Sequence, residues 1–426
     1  MLCSLLRKKI IINRKKGVTC FIPIMLPWEM EKLYRLPAVY PLQQDQNPEV
    51  KAIFYQGLPY RGKETRVFAC YGVPRSASAG EPVPAVVLVH GGAGTAYPEW
   101  VQRWMERGYA AIAMDLEGQL PLQESRFVNV DQCTVHPWSG PVKQGVFADY
   151  QLPVEDQWMY HAVAAVILAH TVIGSLPEVD SSKVGLTGIS WGGIITSLVA
   201  GIDRRLCFAM PVYGCGFLYE PGTLYGRGFA AMPPADAERI RKLWDPSSYL
   251  TNSALPMLWL NSSNDTHFPL AIFDKSFALQ QGGHTQKSMM SLHCGLNHSY
   301  ADAWTCQKLY AFADSIVKDG PSLIQVLEYE QRGDWLVVRY ASLLPVVQAV
   351  LYWCEDEVDW RNASWEAYAV CLSQEDHCAR VSLPQARGKF FMNLTNDRGW
   401  ITSTRVLSDN REIKIQYAEI RRTDQT

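Results

Sequence analysis

A serine held between closely spaced glycines is the residue of this sequence best placed to do chemistry. The segment Gly188-Ile-Ser-Trp-Gly192 follows a short apolar run, and a helix-compatible run comes after it. A strand, a sharp turn and a helix in this order present the hydroxyl of Ser190 above a sheet. The glycines are needed because a Cβ would clash where the strand and helix backbones pass. The backbone N–H of Trp191 then faces the same space, where it can donate to a developing oxyanion. The pattern predicts a nucleophilic serine rather than one that only caps a helix.

A second glycine-rich turn predicts the other oxyanion donor. A buried, uniformly apolar strand ends at His90 and leads directly into a Gly-Gly-Ala-Gly turn. We expect the N–H of Gly92 to turn inward beside that of Trp191, with the neighbouring Ala93 as the alternative donor. His90 itself is expected to brace this loop rather than to react.

An aspartate and a histidine far along the chain are candidates to activate the serine. Acyl transfer needs a base to take the proton of the nucleophile and an acid to orient that base. Asp265 lies four residues past the end of a predicted strand, and His298 lies five residues past the next one. The carboxyl ends of parallel strands share one edge of a sheet, so both side chains can meet Ser190 there. The order serine, aspartate, histidine is that of an α/β-hydrolase fold.

Three other side chains compete for these two roles. His293 falls inside a predicted strand and would point into a packed sheet, and His267 is expected to pack at the rim of the pocket. Asp115 also ends a strand, but that strand precedes the serine, and an acid at this point usually caps a loop. We therefore favour Asp265 and His298.

The elements that position these residues alternate between strands and helices across about 270 residues. Continuously apolar strands such as Tyr109–Asp115, and helices such as 97–107 and 156–173, predict an α/β fold with a doubly wound, mostly parallel sheet. Two long excursions, 116–150 and 214–250, interrupt the alternation. Excursions of that length in a compact domain usually serve function.

After Asp319 the pattern changes to short, alternating apolar and polar segments. Seven such segments lie between residues 322 and 407. This spacing predicts a C-terminal all-β sandwich domain. We therefore expect an N-terminal extension or arm over residues 1–40, an α/β catalytic domain over 41–319 and a β-sandwich over 320–426.

The composition indicates which binding partners and which cellular compartment to expect for this protein. The 426 residues include 40 basic and 42 acidic side chains, a net charge of −2, which does not favour nucleic acid or an anionic membrane as a partner. Eleven cysteines without a C-x-x-C pair indicate buried free thiols, so a cytoplasmic location is favoured over a secreted or periplasmic one. A Cys371–Cys378 disulfide is the alternative for a secreted protein. The basic N-terminus only loosely imitates a signal peptide.

At these motifs the sequence resembles the α/β-hydrolase superfamily, and within it the group of acetyl xylan esterases, dienelactone hydrolases and prolyl-oligopeptidase-like enzymes. The resemblance extends over residues 50–318 and is carried by five segments: 89–94, 108–115, 188–193, 264–268 and 297–298. The C-terminal segment is similar to the β-sandwich appended to some bacterial members. The resemblance implies a serine hydrolase without a metal or other cofactor. The chain before the His90 loop is too short for the β-propeller of the oligopeptidases, which argues against a peptidase.

Together these observations predict ester hydrolysis through an acyl-enzyme. The expected partner is a small-molecule or carbohydrate ester with a short acyl group. The sequence is compatible with a homo-oligomer. Trp138, Tyr213 and Phe268 lie near strand ends and are expected to line an aromatic pocket. An exopeptidase or amidase using the same residues is the second interpretation, and a non-catalytic carbohydrate-binding or scaffold protein is the third.

Overall fold

The computed structural model describes residues 26–42, 49–121, 133–281, 288–355, 362–408 and 414–416. The helices are α1 (Met30–Leu33), α2 (Pro98–Met105), α3 (Trp158–Gly174), α4 (Trp191–Val199), α5 (Leu224–Ala230), α6 (Pro234–Trp244), α7 (Leu270–Gln281), α8 (Tyr300–Thr305) and α9 (Gln307–Val317). The strands up to the site are β1 (Val39–Pro41), β2 (Val50–Gln56), β3 (Arg66–Gly72), β4 (Val83–Val89), β5 (Ala110–Met114), β6 (Gln119–Pro121), β7 (Cys133–Val135), β8 (Val179–Ile189), β9 (Phe208–Val212), β10 (Leu258–Ser262) and β11 (Met289–His293). The remaining strands are β12 (Gln325–Arg332), β13 (Trp335–Ala341), β14 (Val346–Glu355), β15 (Glu366–Ala369), β16 (Cys371–Ser373), β17 (Cys378–Ser382), β18 (Gly388–Asn396), β19 (Ile401–Ser403), β20 (Leu407–Ser408) and β21 (Lys414–Gln416).

A long twisted sheet forms the centre of the molecule. Its hydrogen-bonded order begins β1-β2-β3-β5-β4-β8-β9-β10-β11, and the six strands from β5 to β11 along this path run parallel. Strands β5, β9 and β10 are buried at every residue, which explains why their sequences are apolar without alternation: both faces of the sheet are covered. The predicted doubly wound, mostly parallel α/β sheet is therefore confirmed.

Helices cover the sheet much as their sequences indicate. Helix α3 packs against β4, β5 and β8, and nearly all of its residues are buried, in accord with its apolar character on most faces. The segment from Tyr300 to Val317 forms two helices. Cys306 has an extended backbone with φ −68° and ψ 97°, so α8 ends there and α9 begins.

The C-terminal strands form two layers around a second apolar core. Strands β12, β13, β16, β17 and β21 make a five-stranded sheet, and β14, β15, β18 and β20 lie in the other layer. Buried side chains from both layers meet in this core, among them Tyr329, Leu336, Leu351 and Met392. This is the all-β arrangement that the alternating segments predict.

The second layer also continues the central sheet. Strand β19 pairs antiparallel with β11, and the N–H of Leu292 donates to the hydroxyl of Ser403 at 2.8 Å. A second link joins Arg405 to Asp274 of α7, with the guanidinium Nη2 2.6 Å from the carboxylate. The strand that precedes the candidate base is thus hydrogen-bonded to the C-terminal strands. The expected boundary at residues 319 and 320 falls between α9 and β12.

The described residues show the state of most cysteines and the length and polarity of the helices. Eight cysteines of the described part of the chain are free thiols, Cys371 and Cys378 included, and Ser373 rather than Cys371 lies opposite Cys378. Four of the eight are buried, while Cys294 and Cys371 are exposed. In the described part of the chain, no helix is both long and apolar enough to cross a bilayer.

Candidate active site

Ser190 occupies a strained turn between β8 and α4. Its φ of 58° and ψ of −117° lie in a region that residues with a side chain seldom adopt, and such a conformation costs on the order of 1–3 kcal/mol. Its N–H donates to the carbonyl of Val212 on β9 at 2.9 Å, and its own carbonyl accepts from Ile194 of α4 at 3.0 Å. The surrounding sheet and helix therefore hold the serine in place at the tip of the turn.

The two glycines that flank the serine are required by close backbone contacts. A Cβ on Gly188 would overlap the carbonyl oxygen of Gly192, and a Cβ on Gly192 would overlap the carbonyl oxygen of Val89 on β4. Both distances are too short for any side chain. The sharp turn at Ser190 can thus form only with glycine at both positions.

His298 and Asp265 meet at the same edge of the sheet. The ring Nδ1 of His298 lies 2.7 Å from Oδ2 of Asp265, and the other carboxylate oxygen accepts the N–H groups of His267 and Phe268, each at 2.8 Å. Because a carboxylate only accepts, Nδ1 carries the proton and Nε2 is left as the basic nitrogen. The Asp265 side chain is fully buried, whereas 22% of the His298 side chain is exposed, so an incoming substrate can reach the histidine.

Ser190 and His298 share a neighbour. Val212, which accepts the N–H of Ser190, is followed by Tyr213, whose ring centroid lies 4.9 Å from that of His298. Within the described residues, the two side chains do not form a hydrogen bond of 3.5 Å or less. Hydrogen bonds between nucleophile and base are often loose before substrate binds, and a rotation of the serine side chain changes which partner its Oγ faces.

The serine hydroxyl instead neighbours a buried tyrosine. Burial raises the pKa of Tyr225, and hydrogen bonding with the Ser190 hydroxyl opposes that rise. The Tyr225 ring packs 5.3 Å from Trp191 and 5.2 Å from Phe268. Tyr225 lies in the 214–250 excursion, where the sequence offered no motif to single it out.

The loop after β4 places backbone N–H groups beside the serine. The N–H of Ala93, the alternative donor, interacts with Glu117 and opposes the rise that burial causes in the pKa of that carboxyl. Among the described residues, neither Gly92 nor Trp191 has an acceptor for its backbone N–H. A Cβ on Gly92 would lie 2.8 Å from the indole Cδ1 of Trp191, so these two residues are in contact. The contacts favour Gly92 over Ala93 as the partner of Trp191 in an oxyanion hole.

Two side chains hold this loop. His90 accepts the N–H of Leu116 at its Nε2, 2.8 Å away, and its Nδ1 lies 2.6 Å from the carbonyl of Gly91, to which it therefore donates. Burial lowers the pKa of His90 to about 4, which keeps the ring neutral. The hydroxyl of Tyr300 accepts the N–H of Gly91 at 2.7 Å. His90 is thus a brace for the loop, and Tyr300 ties the loop to the segment that carries His298.

The three residues predicted to line an aromatic pocket lie in two separate places in the structure. Tyr213 and Phe268 are fully buried, with their rings 4.9 and 6.2 Å from His298, so they pack behind the histidine and offer no surface to a substrate. Trp138 contacts Phe54 of β2 and Arg66 of β3, near the β1 edge of the central sheet. Three strands, β3, β5 and β4, separate β2 from β8, which ends at the serine. We therefore do not assign Trp138 to the pocket, because the guanidinium and the phenyl ring hold it elsewhere.

The competing residues have other partners. Asp115 accepts the N–H groups of Glu117 and Gln119 at 2.9 and 2.8 Å, which is a loop-capping role. His293 ends β11, and burial, together with the charge of Lys308, lowers its pKa to about 3. His267 packs against His298 with ring centroids 4.5 Å apart.

One set of metal-ligating atoms occurs at the site. Asp265, His267 and His298 each offer an atom within 4.8 Å of the others. Two of these residues are the hydrogen-bonded pair described above, so a metal ion bound here would take a nitrogen of His298 that base catalysis needs, either Nδ1 for Asp265 or Nε2 for the serine proton. This cluster therefore competes with base catalysis rather than supplementing it.

Several residues of the site carried no signal in the sequence. Lys143 places its Nζ 5.2 Å from the ring centroid of Trp191, and Glu117 lies buried beneath the Gly92 loop. Both belong to the 116–150 excursion, whose length alone marked it as functional. Tyr300 stands two residues after His298, but its contact with Gly91 spans 209 positions of the chain.

Comparisons with known proteins agree with this fold. Residues 28–220 match the sequence family described as acetyl xylan esterase (AXE1), a segment that includes Gly92 and Ser190 but ends before Asp265 and His298. No curated protein sequence matches the chain at a significant level. The family match supports a hydrolase of the esterase type.

A solved structure with the same fold is among those that the chain resembles. An acetyl xylan esterase from Paenibacillus sp. R4 is 18% identical with a TM-score of 0.51, and the alignment covers 67% of this chain and 92% of that one. An acetyl xylan esterase from Thermoanaerobacterium sp. (16% identity, TM-score 0.46) covers 64% and 89% of the two chains. An acylaminoacyl peptidase from Pyrococcus horikoshii (17%, 0.46) covers 63% and 42%. The chain has the α/β-hydrolase fold, resembles acetyl xylan esterases, and carries a C-terminal β domain.

Proposed function

We propose that this α/β-hydrolase, whose N-terminal half resembles acetyl xylan esterases, is a serine esterase that removes short acyl groups from a carbohydrate or a small alcohol. The observation that carries the proposal is the 2.7 Å hydrogen bond between His298 and Asp265 at the sheet edge where Ser190 occupies its strained turn. The match of residues 28–220 to the acetyl xylan esterase family supports an ester as the substrate.

The first half-reaction forms an acyl-enzyme. His298 Nε2 takes the proton of the Ser190 hydroxyl while Oγ attacks the acyl carbon, and the carbonyl π electrons move to oxygen. The N–H groups of Gly92 and Trp191 donate to that oxyanion. The tetrahedral intermediate collapses, the C–O bond to the alcohol breaks, and His298 returns its proton to the leaving alkoxide. Asp265 keeps the imidazole in the required tautomer and stabilises its positive charge.

The second half-reaction repeats these steps with water as the nucleophile. His298 deprotonates the water, hydroxide adds to the acyl carbon, and the same N–H groups hold the oxyanion. When the intermediate collapses, the bond to Ser190 breaks and the serine recovers a proton from His298. The products are a carboxylic acid and an alcohol, and no redox partner or metal ion is needed for the atoms to balance.

The full-length protein tests this proposal directly. We expect turnover of p-nitrophenyl acetate and labelling by a fluorophosphonate probe, both lost in Ser190→Ala and retained in Ser197→Ala, whose hydroxyl is buried in α4. Absence of turnover and labelling, or equal turnover by Ser190→Ala, would overturn it. Aminoacyl-amide hydrolysis that exceeds ester hydrolysis would instead favour the exopeptidase interpretation. Release of acetate from acetylated xylo-oligosaccharides then separates carbohydrate from simple alcohol esters.

A further inference from the structure

A lysine ammonium stands at the edge of the candidate oxyanion hole. Lys143 Nζ lies 3.6 Å from the position that a Cβ on Gly92 would take and 5.2 Å from the ring centroid of Trp191. These are the two residues whose N–H groups we assign to the oxyanion. The ammonium also lies 5.9 Å from the ring centroid of Trp158. A cation over indole faces is held in place by their quadrupoles, so Lys143 keeps a defined position beside the reacting centre.

The acid next to this lysine has its own neighbours. Glu117 is buried, which raises its pKa, and the backbone N–H groups of Lys143 and Ala93 oppose that rise. The Lys143 charge lowers the pKa of Glu117 against the larger effect of burial, so the two groups sense each other. Within the described residues, however, no carboxylate oxygen lies within 4.0 Å of Lys143 Nζ. The half-buried ammonium thus retains hydrogen-bonding capacity for another anion.

We propose that Lys143 forms an anion subsite beside the scissile ester, where it binds a carboxylate carried by the substrate. The proposal rests on the serine esterase activity argued above and names the substrate class: acyl esters whose alcohol or acyl part bears a carboxylate. The oxyanion already has two assigned donors, the backbone N–H groups of Gly92 and Trp191, which leaves the Lys143 ammonium for a substrate carboxylate.

A matched pair of substrates tests the subsite. 4-Acetoxybenzoate and 4-acetoxybenzamide share the acetyl group and nearly the same leaving phenol, but only the first is charged. We expect wild-type kcat/KM to favour the benzoate by about tenfold, the scale of one hydrogen bond to a charged group. In Lys143→Met this ratio should fall to about one, and in Lys143→Glu it should invert. Lys143→Arg should retain it, as should Lys63→Met, which changes an exposed lysine near β3.

The outcomes separate this inference from the esterase proposal. A ratio near one in the wild type, a ratio that survives Lys143→Met, or an equal loss for both substrates would overturn the anion subsite while leaving the esterase intact. If neither substrate is hydrolysed, calorimetric measurement of 4-hydroxybenzoate binding still tests whether the anion subsite exists. We expect its Kd to rise about tenfold in Lys143→Met, and no binding, or equal binding by wild type and variant, overturns the subsite.

Discussion

The hydroxyl of Tyr300 accepts a hydrogen bond from the backbone N–H of Gly91 at 2.7 Å. This bond joins the start of α8, two residues after His298, to the turn that presents the N–H of Gly92. The candidate base and one candidate oxyanion donor are therefore positioned relative to each other by a single side chain.

Removal of that hydroxyl should impair turnover more than binding. In Tyr300→Phe the buried N–H of Gly91 loses its acceptor, at a cost of about 1–3 kcal/mol in the position or stability of the loop. We expect kcat for p-nitrophenyl acetate to fall about tenfold while KM changes less. Tyr40→Phe, which removes a hydroxyl bonded to Gln56 near the sheet edge, is the matched control and should keep kcat. A Tyr300→Phe enzyme with wild-type kcat would contradict this role.

Asp265→Asn should leave the fold intact and abolish most activity. The Asn side-chain oxygen can still accept the N–H groups of His267 and Phe268, but its amide donates where the carboxylate accepted. His298 then favours the tautomer with Nε2 protonated, which cannot take the serine proton. The expected loss in kcat is roughly 10³- to 10⁴-fold, as for the equivalent change in other serine hydrolases. Asp376→Asn, on the exposed turn before β17, provides the control, and a loss below tenfold in Asp265→Asn would exclude the assigned role.

A comparison of Ser190→Gly with Ser190→Ala should separate the loss of the serine hydroxyl from the relief of backbone strain in the turn. Both remove the nucleophile, so both should be inactive and unlabelled by a fluorophosphonate. Only glycine relaxes a backbone with φ of 58°, so Ser190→Gly should unfold at a higher temperature than Ser190→Ala, by about 1 kcal/mol in the free energy of unfolding. Differential scanning calorimetry of the two variants measures this. Equal melting temperatures would show that the turn stores no strain.

The stability of the protein should depend on pH through Asp115. Burial raises the pKa of this carboxyl from 3.8 to about 7, so the folded protein holds the proton more tightly than the unfolded chain does. The resulting stabilisation is fully present below pH 3.8 and is lost as the pH rises to about 7. Asp115→Asn cannot ionise, and its side-chain oxygen still accepts from Glu117 and Gln119. Between pH 3.8 and about 7, the free energy of unfolding of Asp115→Asn should therefore rise relative to that of the wild type. The difference should grow by at most about 1.4 kcal/mol per pH unit.

Urea titrations at a series of pH values measure this difference. Comparison of the two proteins cancels the groups that they share, such as Glu117, whose pKa is also raised by burial. Parallel stability curves for wild type and Asp115→Asn would mean that Asp115 is ionised throughout the range.

The link between the C-terminal strands and α7 should contribute to stability. Arg405→Met removes a guanidinium that binds both oxygens of Asp274 and leaves that buried carboxylate with the N–H of Val406 as its described partner. We expect a loss of about 2–3 kcal/mol in the free energy of unfolding. Lys242→Met, which breaks an exposed pair with Glu238, should change little. If Arg405→Met unfolds like the wild type, this ion pair does not contribute to the stability of the protein.

The central sheet and the β-sandwich could be predicted because their signals are local. Continuous apolar runs indicate strands buried on both faces, and alternating runs indicate strands with one face on a core; both patterns are visible in 110–114 and 335–341. Ser190 was recognisable for the same reason, since the glycines that its turn requires lie within two residues of it. The break between α8 and α9 could not be predicted in this way, because Cys306 carries no helix-ending signal of its own.

The sequence by itself determined the candidate catalytic residues and their order along the chain. A serine lies in a turn that only flanking glycines permit, and an aspartate and a histidine follow later strands. Only the tertiary structure decided which side chains surround them. The contacts of Tyr300 with Gly91 and of Lys143 with Trp191, and the placement of Trp138 against Arg66, join residues remote in sequence. Such contacts follow from how loops pack on a finished sheet, and packing leaves no periodic pattern along the chain.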